Sequence, residues 1–354
     1  ASFLENIQGL TTLKIFSADE RAHEAMNRQA EGFRRATMRL LRMQLNSITV
    51  MDLFAFGGAA AGIACAVWQY SHGAIAFSAA FSIVFLSAEF FLPLRTLGSF
   101  FHTAMGGMAV ADKMFSILDA PEPPPATAEI PAGAGDVRCE GVGYSYDGSR
   151  FVLSDVDFYA SRGSFVGVVG PSGSGKSTFA GVLAGANRAF RGTVRIGGVD
   201  VGQASAASLS RAVTYVSFSS RLFTGTVAEN LRLADPDADD ESLWSVLERC
   251  RLAGFVRSLG GLGAVVGPDA ANLSGGQRQR LVLARSLLHD SAVYIFDEAT
   301  SNIDARSEHA IMDVIEELAR EKTVVVISHR LATLRRAKLI YVFDGGRVVQ
   351  VGTH

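Results

Sequence analysis

The segment GPSGSGKS, residues 170–177, constrains the fold more than any other part of this 354-residue chain. It follows an apolar segment, FVGVV at residues 165–169, and precedes a stretch with helical spacing. In a glycine-rich turn between a strand and a helix, backbone N–H groups surround phosphates at the positive end of the helix. From residue 136 onward, short apolar strands alternate with helical stretches, which is typical of a mainly parallel α/β sheet. The sequence therefore predicts an α/β domain that binds a nucleoside triphosphate.

Two residues of this phosphate loop have predicted chemical roles. Lys176, a predicted catalytic residue, is expected to reach the outer phosphates, and the hydroxyl of Ser177 is expected to bind Mg²⁺. The predicted cofactors are therefore ATP and Mg²⁺. The residues of this segment that are expected to contact them are Gly170, Ser172, Gly173, Gly175, Lys176, Ser177 and Thr178.

Two adjacent carboxylates, Asp297 and Glu298, follow the apolar segment AVYIF. Asp297 is placed to bind the Mg²⁺, and Glu298 is placed to orient or activate the attacking water. Two carboxylates at a strand end can also form an ordinary solvated pair. Their position behind an apolar strand, downstream of a phosphate loop, favours catalysis and so indicates ATP hydrolysis.

The segment LSGGQ, residues 273–277, supplies a second helix start that can bind an anion. Ser274 stands at the N-cap position, and Gly275 and Gly276 leave the backbone open to a ligand. One ATP does not need two such helices from the same chain. LSGGQ at this distance from a phosphate loop resembles the ATP-binding cassette (ABC) proteins, and the resemblance covers residues 136–354.

The ABC resemblance implies that two cassettes pair head to tail and hold each ATP between them. One chain then contributes its phosphate loop, and the other contributes Ser274, Gly275, Gly276 and Gln277. Tyr146 corresponds to the aromatic residue that stacks on adenine, and Asp304 ends the loop that signals between the two sites. His329 corresponds to the switch histidine that contacts the γ-phosphate. A lone histidine is more often structural, but this one follows an apolar strand and completes the set.

Two apolar segments, residues 48–70 and 74–92, each contain a single charged residue and are long enough to cross a hydrocarbon core as helices. A short turn separates them, so they are expected to form a hairpin with both outer ends on one side of a membrane. Arginines ahead of the first segment, and Arg95 and Lys113 beyond the second, make that side cytoplasmic. The alternative is a buried helical hairpin in a large soluble protein. The mean hydropathy of +0.22 favours the membrane.

The predicted helical part, residues 1–118, extends beyond these two spans on the cytoplasmic side. Residues 1–47 are expected to form a long helix that continues into the first span, and the helix of the second span is expected to run on into the cytoplasm. Asp52 and Glu89 lie near the cytoplasmic ends of the spans, where they either reach the interface or contact substrate. A proline-rich linker, residues 119–135, separates this all-α part from the cassette.

Two stretches of the helical part resemble ABC exporters. Residues 9–20, GLTTLKIFSADE, resemble the cytoplasmic coupling segment between helices four and five, which implies a half-transporter whose first four helices precede residue 1. Residues 87–105, SAEFFLPLRTLGSFFHTAM, are similar to the CydD-type half of the heterodimeric bacterial thiol exporters. That similarity implies a different partner chain and export of cysteine or glutathione across the bacterial inner membrane, in support of cytochrome bd assembly.

Phe218 departs from the ABC pattern, in which this loop begins with a glutamine that touches Mg²⁺ or the attacking water. Phenylalanine can do neither, which is compatible with two unequal ATP sites in a heterodimer. Two alternatives stay open: an exporter of lipid, peptide or drug cargo, and an ATP-binding regulatory half whose partner performs the hydrolysis. A soluble ABC ATPase acting on DNA or ribosomes is disfavoured by the two spans. The net charge of −2, without a basic patch, gives no reason to expect a nucleic-acid partner.

Overall fold

The computed structural model describes residues 2–120, 126–188, 190–300 and 303–354. The chain divides into two compact units, residues 1–122 and 123–354. The first unit is helical, and the second contains all of the described strands. The predicted linker begins in the first unit and ends in the second, and its residues 121–125 lie outside the described residues.

The helical unit begins with two short helices and continues with two long ones. They are α1 (Ser2–Gln8), α2 (Leu10–Ile15), α3 (Asp19–Ser71) and α4 (Phe77–Leu118). The prediction of one long helix over residues 1–47 is therefore wrong. The helical path breaks at Gly9 and again at Ser17, where φ is +49° and the N–H of Ala18 donates to the Leu13 carbonyl at 2.8 Å. A left-handed residue ends a helix because it turns the following N–H groups back onto the last carbonyls.

The two predicted apolar segments lie in α3 and α4. The helices are joined by residues 72–76, so α4 begins three residues after the predicted start of the second segment. Among the described residues, α3 is the one helix long and apolar enough to cross a membrane, and α4 contains a shorter apolar stretch, Phe77–Ser87. Large apolar side chains of the hairpin are exposed, as at Trp68 and Phe85.

Small residues allow α3 and α4 to approach closely. Ala55 and Ala66 are buried in α3, and Ala80 and Ser87 are buried in α4. Gly62 lies on the same face of α3 as the two alanines, because spacings of seven and four residues return to one side of a helix. A Cβ atom added at Gly62 would lie 4.0 Å from the Cβ atom of Ser87. The hairpin therefore packs through small side chains, as membrane helix pairs do.

We expect the substitution Ala66→Leu to destabilise this hairpin, because a larger side chain must push the two helices apart. Overpacking of this kind costs about 1–3 kcal/mol. Thermal unfolding of the full-length protein in detergent measures the effect. Ala64→Leu is the matched control, since Ala64 is exposed on the same helix. Equal unfolding temperatures for the two variants would contradict close packing through Ala66.

The second unit contains twelve described strands and seven described α-helices. The strands are β1 (Val137–Ser145), β2 (Phe151–Ala160), β3 (Phe165–Val169), β4 (Phe190–Ile196), β5 (Val199–Asp200), β6 (Val213–Ser217), β7 (Gly225–Thr226), β8 (Val265–Val266), β9 (Val293–Asp297), β10 (Thr323–Ile327), β11 (Leu339–Asp344) and β12 (Arg347–Gly352). The helices are α5 (Lys176–Leu183), α6 (Ala206–Ala212), α7 (Val227–Arg232), α8 (Asp240–Arg249), α9 (Ala253–Ser258), α10 (Gly275–Leu288) and α11 (Ala305–Leu318).

These strands form two main sheets and a small ribbon. An antiparallel sheet has the order β2-β1-β4-β5, and a six-stranded sheet has the order β12-β11-β3-β10-β9-β6. Within the six-stranded sheet every neighbouring pair is parallel except β11 and β12. Strands β7 and β8 pair separately. Five parallel strands therefore end at one common edge.

The six-stranded sheet has a hydrophobic core on each face. One core joins this sheet to the antiparallel sheet and to α5, and it includes Phe179 and Ile295. The other joins the opposite face to α7, α8, α10 and α11, and it includes Phe296 and Leu247. Alternate residues of β9 enter the two cores, as the period of a strand requires. The central strands are thus fixed on both faces, and the loops that follow them start from rigid positions.

Candidate active site

The predicted catalytic residues lie at the carboxyl edge of the parallel strands. The phosphate loop follows β3, Glu298 follows β9, and His329 lies two residues after β10. Asp297 is the last residue of β9, where it pairs with Ser217 of β6 on one side and Ile327 of β10 on the other. Because the strands are in register, the side chains that follow them meet at one edge, where open α/β sheets bind ligands.

The phosphate loop adopts a conformation that depends on glycine. At Gly170 φ is +157°, and an added Cβ would overlap the carbonyl oxygen of Phe343. At Gly175 φ is +95°, directly before the first turn of α5. Ser172, Gly173 and Ser177 are exposed, so this part of the loop is open to a ligand. The backbone therefore forms the glycine-dependent turn between a strand and a helix that the sequence predicts, and its contact with phosphate stays a prediction.

Lys176 is buried within this loop and is held by the loop itself. Its ammonium group donates to the carbonyl oxygens of Gly170 at 2.9 Å and Pro171 at 2.8 Å. Desolvation lowers the lysine pKa, whereas the charges of Glu298 and Asp297 act in the opposite direction. The lysine thus shares one electrostatic environment with both predicted carboxylates.

Asp297 has the environment of a metal ligand. It is buried, and the phenol of Tyr215 donates a hydrogen bond to its Oδ2 atom at 3.0 Å. No described group completes a hydrogen bond to the buried Oδ1 atom. Burial raises the pKa of Asp297, and the nearby hydroxyls of Ser177 and Tyr215 lower it, with burial the larger effect. The Ser177 hydroxyl lies near enough to the Asp297 carboxylate to favour its charged form.

A divalent cation fits this set of groups. A buried carboxylate oxygen without a donor is costly, and a hard cation such as Mg²⁺ prefers oxygen ligands. The Oδ1 atom of Asp297 and the exposed hydroxyl of Ser177 are such ligands. In the part of the chain that the structure describes, no cluster of three His, Cys, Asp or Glu residues forms a protein-only metal site. Asp297 and Ser177 alone would leave the other coordination positions of a bound Mg²⁺ to oxygens of phosphate or water.

Glu298 and His329 form a second polar pair at this edge. Their closest atoms, Oε1 of Glu298 and Nδ1 of His329, are 3.6 Å apart. Both side chains are partly exposed, whereas Asp297 is buried. Glu298 has a φ of +51°, and its N–H donates to the Ile327 carbonyl at 3.0 Å. This hydrogen bond holds a left-handed residue directly after the strand and turns its carboxylate away from the core.

Tyr146 lies over the helix that follows the phosphate loop. Its hydroxyl is 3.2 Å from the Thr178 hydroxyl, and its ring packs edge-on against Tyr144 with centroids 5.0 Å apart. The side chain is 67% exposed, which leaves one ring face open. An exposed aromatic face beside a phosphate loop is suited to stacking with a base.

The residues of the LSGGQ segment form a capped helix start. The hydroxyl of Ser274 accepts from the Gln277 N–H at 3.3 Å, and the Gln277 side chain accepts from the Ser274 N–H at 2.8 Å. An added Cβ at Gly276 would overlap the Ser307 side chain and lie 3.5 Å from Asp304. Asp304 caps α11 by accepting from the Ser307 N–H at 2.9 Å, and this bond lowers the pKa of Asp304. The starts of α10 and α11 thus pack together; Ser301 and Asn302 lie outside the described residues.

Phe218 lies beside Asp297 through its backbone. Its N–H donates to the Asp297 carbonyl at 3.1 Å, and its side chain is 54% exposed. The ring lines a cavity of about 610 Å³ that Gly275 and Gln279 of α10 also line. The position is therefore next to the carboxyl edge, but the side chain brings no polar atom to it.

Tyr215 is the residue of this site that the sequence interpretation missed. Its side chain packs against the core that contains Ile295. Asp297 is on the same face of the sheet as Ile295, because side chains two residues apart on a strand share a face. A diagonal neighbour on an adjacent strand is within reach of a long side chain. The signal available in the sequence was a phenol three residues before Phe218, on the strand that leads into that loop.

Comparison with known proteins supports the same architecture. Residues 153–301 match the ABC transporter family model. The whole chain aligns with 62% of the solved structure of a bacterial Atm1-family ABC exporter with ATP bound, with a TM-score of 0.85 and 27% identity. The chain thus has the fold of an ABC exporter half-transporter, in which an N-terminal helical part precedes an α/β ABC transporter ATP-binding domain. This confirms the predicted fold class, an all-α part followed by an α/β P-loop NTPase cassette.

Three curated relatives are similar over nearly the whole chain. An uncharacterized ABC transporter ATP-binding protein of Haemophilus influenzae is 44% identical over 100% of the chain and 64% of its own length. An ATP-dependent lipid A-core flippase of Albidiferax ferrireducens is 34% identical over 99% of the chain and 61% of its own length. The glutathione/L-cysteine transport system protein CydD of Escherichia coli is 29% identical over 99% of the chain and 62% of its own length. The chain spans less than two thirds of these relatives, and CydD is less similar to it than the first two.

We expect Gly170→Ala to destabilise the cassette and to weaken ATP binding, because the added Cβ overlaps the Phe343 carbonyl. Steric strain of this kind costs about 3 kcal/mol. Thermal unfolding and ATP titration of the full-length protein measure the two effects. Gly198→Ala is the matched control: its φ is +80°, but no atom lies within 4 Å of the added Cβ. This control is expected to cost only about 1 kcal/mol and to leave ATP binding unchanged. Equal losses in the two variants would contradict the close approach at Gly170.

Proposed function

We propose that this chain is part of an exporter subunit that binds ATP with Mg²⁺ and hydrolyses it to drive transport. The observation that carries the proposal is the convergence of Lys176, Asp297, Glu298 and His329 at one edge of the parallel sheet. Positioning and charge supply most of the catalysis of phosphoryl transfer, and these residues provide both. The match of residues 153–301 to the ABC transporter family model supports coupling of this reaction to transport.

The proposed reaction assigns one task to each residue. Lys176 binds the outer phosphates after leaving the Gly170 and Pro171 carbonyls. Ser177 and Asp297 would hold Mg²⁺, which neutralises charge on the phosphate oxygens when bound. Glu298 accepts a hydrogen bond from the water whose oxygen bonds to the γ-phosphorus. The bond between the γ-phosphorus and the bridging oxygen breaks, ADP leaves with that electron pair, and the proton of the water passes to the phosphate product. His329, whose Nδ1 atom is 3.6 Å from Oε1 of Glu298, is assigned the contact with the γ-phosphate.

We further propose that the complete ATP site needs a second cassette. The start of α10, with Ser274, Gly275, Gly276 and Gln277, packs against α11, whereas Lys176 interacts with the phosphate loop and the carboxylates. A second subunit that presents its own LSGGQ segment would close each site. Phe218 supports a partner that is a different chain, because an unequal pair tolerates one site without the usual glutamine.

A location in the bacterial inner membrane is the corresponding proposal for the helical unit. The outward-facing apolar side chains of α3 and α4 suit lipid, and the arginines before the apolar part of α3 suit the cytoplasmic face. In this arrangement the protein crosses the bilayer several times and the cassette is cytoplasmic. The support is the exposed apolar surface of α3 together with the fold shared with the Atm1-family exporter.

Two cargo classes follow from the relatives. A lipid is supported by the flippase at 34% identity, and a small thiol such as glutathione or cysteine is supported by residues 87–105 and by CydD at 29% identity. The higher identity ranks the lipid first. The thiol cargo and the link to cytochrome bd assembly stay predictions of the sequence.

The reaction is tested with Glu298→Gln in the full-length protein. Without the carboxylate, ATP hydrolysis is expected to fall by about 100-fold or more, while ATP binding is retained because Lys176 is untouched. Glu317→Gln, on the exposed face of α11, is the matched control. Hydrolysis that survives Glu298→Gln would assign the chemistry to the partner and make this chain the regulatory half.

The cargo is tested in inverted membrane vesicles and in liposomes that contain the purified transporter. Lipid export predicts ATP-dependent movement of a labelled lipid between leaflets, and thiol export predicts ATP-dependent uptake of labelled glutathione or cysteine. Each signal is expected to disappear in Glu298→Gln. Hydrolysis without either signal would exclude both cargo classes.

A further inference from the structure

The strand that leads into the Phe218 loop carries a side chain that contacts the predicted metal ligand. Tyr215 of β6 donates its phenol hydrogen to Oδ2 of Asp297 at 3.0 Å. The two residues are on neighbouring parallel strands, with Ser217 opposite Asp297 and Tyr215 opposite Ile295. The hydrogen bond is therefore diagonal, and it joins the edge strand to the residue at the centre of the site.

The two carboxylate oxygens of Asp297 differ in their contacts, so one is held by Tyr215 and the other is left for a metal. Oδ2 is occupied by the phenol, whereas no described group completes a hydrogen bond to the buried Oδ1. A carboxylate held by one oxygen cannot rotate freely, so its other oxygen keeps a fixed direction. Groups that fix a metal ligand in this way strengthen metal binding without touching the metal.

Phe218 makes such a group more important in this chain. Its backbone N–H donates to the Asp297 carbonyl at 3.1 Å. Its ring can neither coordinate a cation nor donate a hydrogen bond. Tyr215, three residues before Phe218, therefore makes the polar contact with the Asp297 carboxylate.

We propose that Tyr215 is a positioning residue that fixes Asp297 for Mg²⁺ and so links the Phe218 loop to the metal site. The inference rests on the proposed function, because it assumes that Asp297 binds the metal of an ATP complex. In this proposal Tyr215 of β6 links the Phe218 loop to the metal site, a link that the ABC resemblance assigns to a glutamine at the position of Phe218. Movement of β6 would change the direction of Oδ1 through a single hydrogen bond.

A purely structural role for Tyr215 is the competing explanation. The side chain packs against the core between the two sheets, so its ring contributes to stability whatever its hydroxyl does. The substitution Tyr215→Phe separates the two roles, since it keeps the ring and removes the donor. The distinguishing readout is the affinity for the metal, measured apart from the affinity for the nucleotide.

The experiment uses the full-length transporter and a non-hydrolysable ATP analogue. Electron paramagnetic resonance of Mn²⁺, a substitute for Mg²⁺, gives the metal affinity of the nucleotide complex. Tyr215→Phe is expected to weaken Mn²⁺ binding by about tenfold or more and to leave binding of the analogue in EDTA unchanged. Tyr341→Phe is the matched control, because it removes a phenol whose hydrogen bonds, within the described residues, join the Tyr159 backbone at 3.0 and 3.1 Å.

Two results would overturn the inference. Wild-type Mn²⁺ affinity in Tyr215→Phe would show that the phenol does not position Asp297. Loss of analogue binding in EDTA would show that the hydroxyl supports the fold of the site instead. A failure of the proposed function is distinguishable from both, because it appears as absent Mg²⁺-dependent hydrolysis in the wild-type protein, whereas Mn²⁺ binding is still measured.

Discussion

The register of β9 between β6 and β10 is the constraint on which the rest of the site depends. Hydrogen bonds along this parallel ladder place Ser217, Asp297 and Ile327 side by side. The backbone continues the ladder beyond the strands, since the N–H of Glu298 donates to the Ile327 carbonyl and that of Phe218 to the Asp297 carbonyl. A one-residue slip would turn Asp297 into the opposite core, because side chains alternate between the two faces. The site is thus positioned by strands that are packed on both faces.

The helical unit is built on a different principle. Among the residues of this unit whose burial the structure describes, the buried ones are small, such as Ala55, Ala66 and Ala80, and many large apolar side chains are exposed. In water, exposed large apolar side chains would contribute no free energy of burial. In lipid, helices associate through close packing of small side chains instead. The small buried residues and the exposed Trp68 and Phe85 are compatible with the proposed membrane location of the hairpin.

The sequence was sufficient to predict the local structure wherever that structure depends on a short motif. The glycine spacing around Lys176 and the apolar segment before Asp297 predicted the turn and the strand end, because both depend on near neighbours. The break at Ser17 could not be predicted, since a serine with positive φ leaves no mark in the pattern of polar and apolar residues. Tyr215 was missed for another reason: its contact with Asp297 joins residues 82 positions apart and depends on strand order. Pairings between strands of a parallel sheet are decided by the whole fold.

Tyr215 donates a hydrogen bond to the Asp297 carboxylate, whereas the side chain of Phe218 has no polar atom to offer. We propose that the carboxyl edge of the parallel sheet in this chain itself hydrolyses MgATP. The most direct test is vanadate trapping of a photoreactive, labelled ATP in the full-length transporter, followed by separation of the subunits. Trapped nucleotide on this chain, dependent on Mg²⁺, is the predicted result. Label confined to the partner, or trapping that persists in EDTA, would contradict the claim.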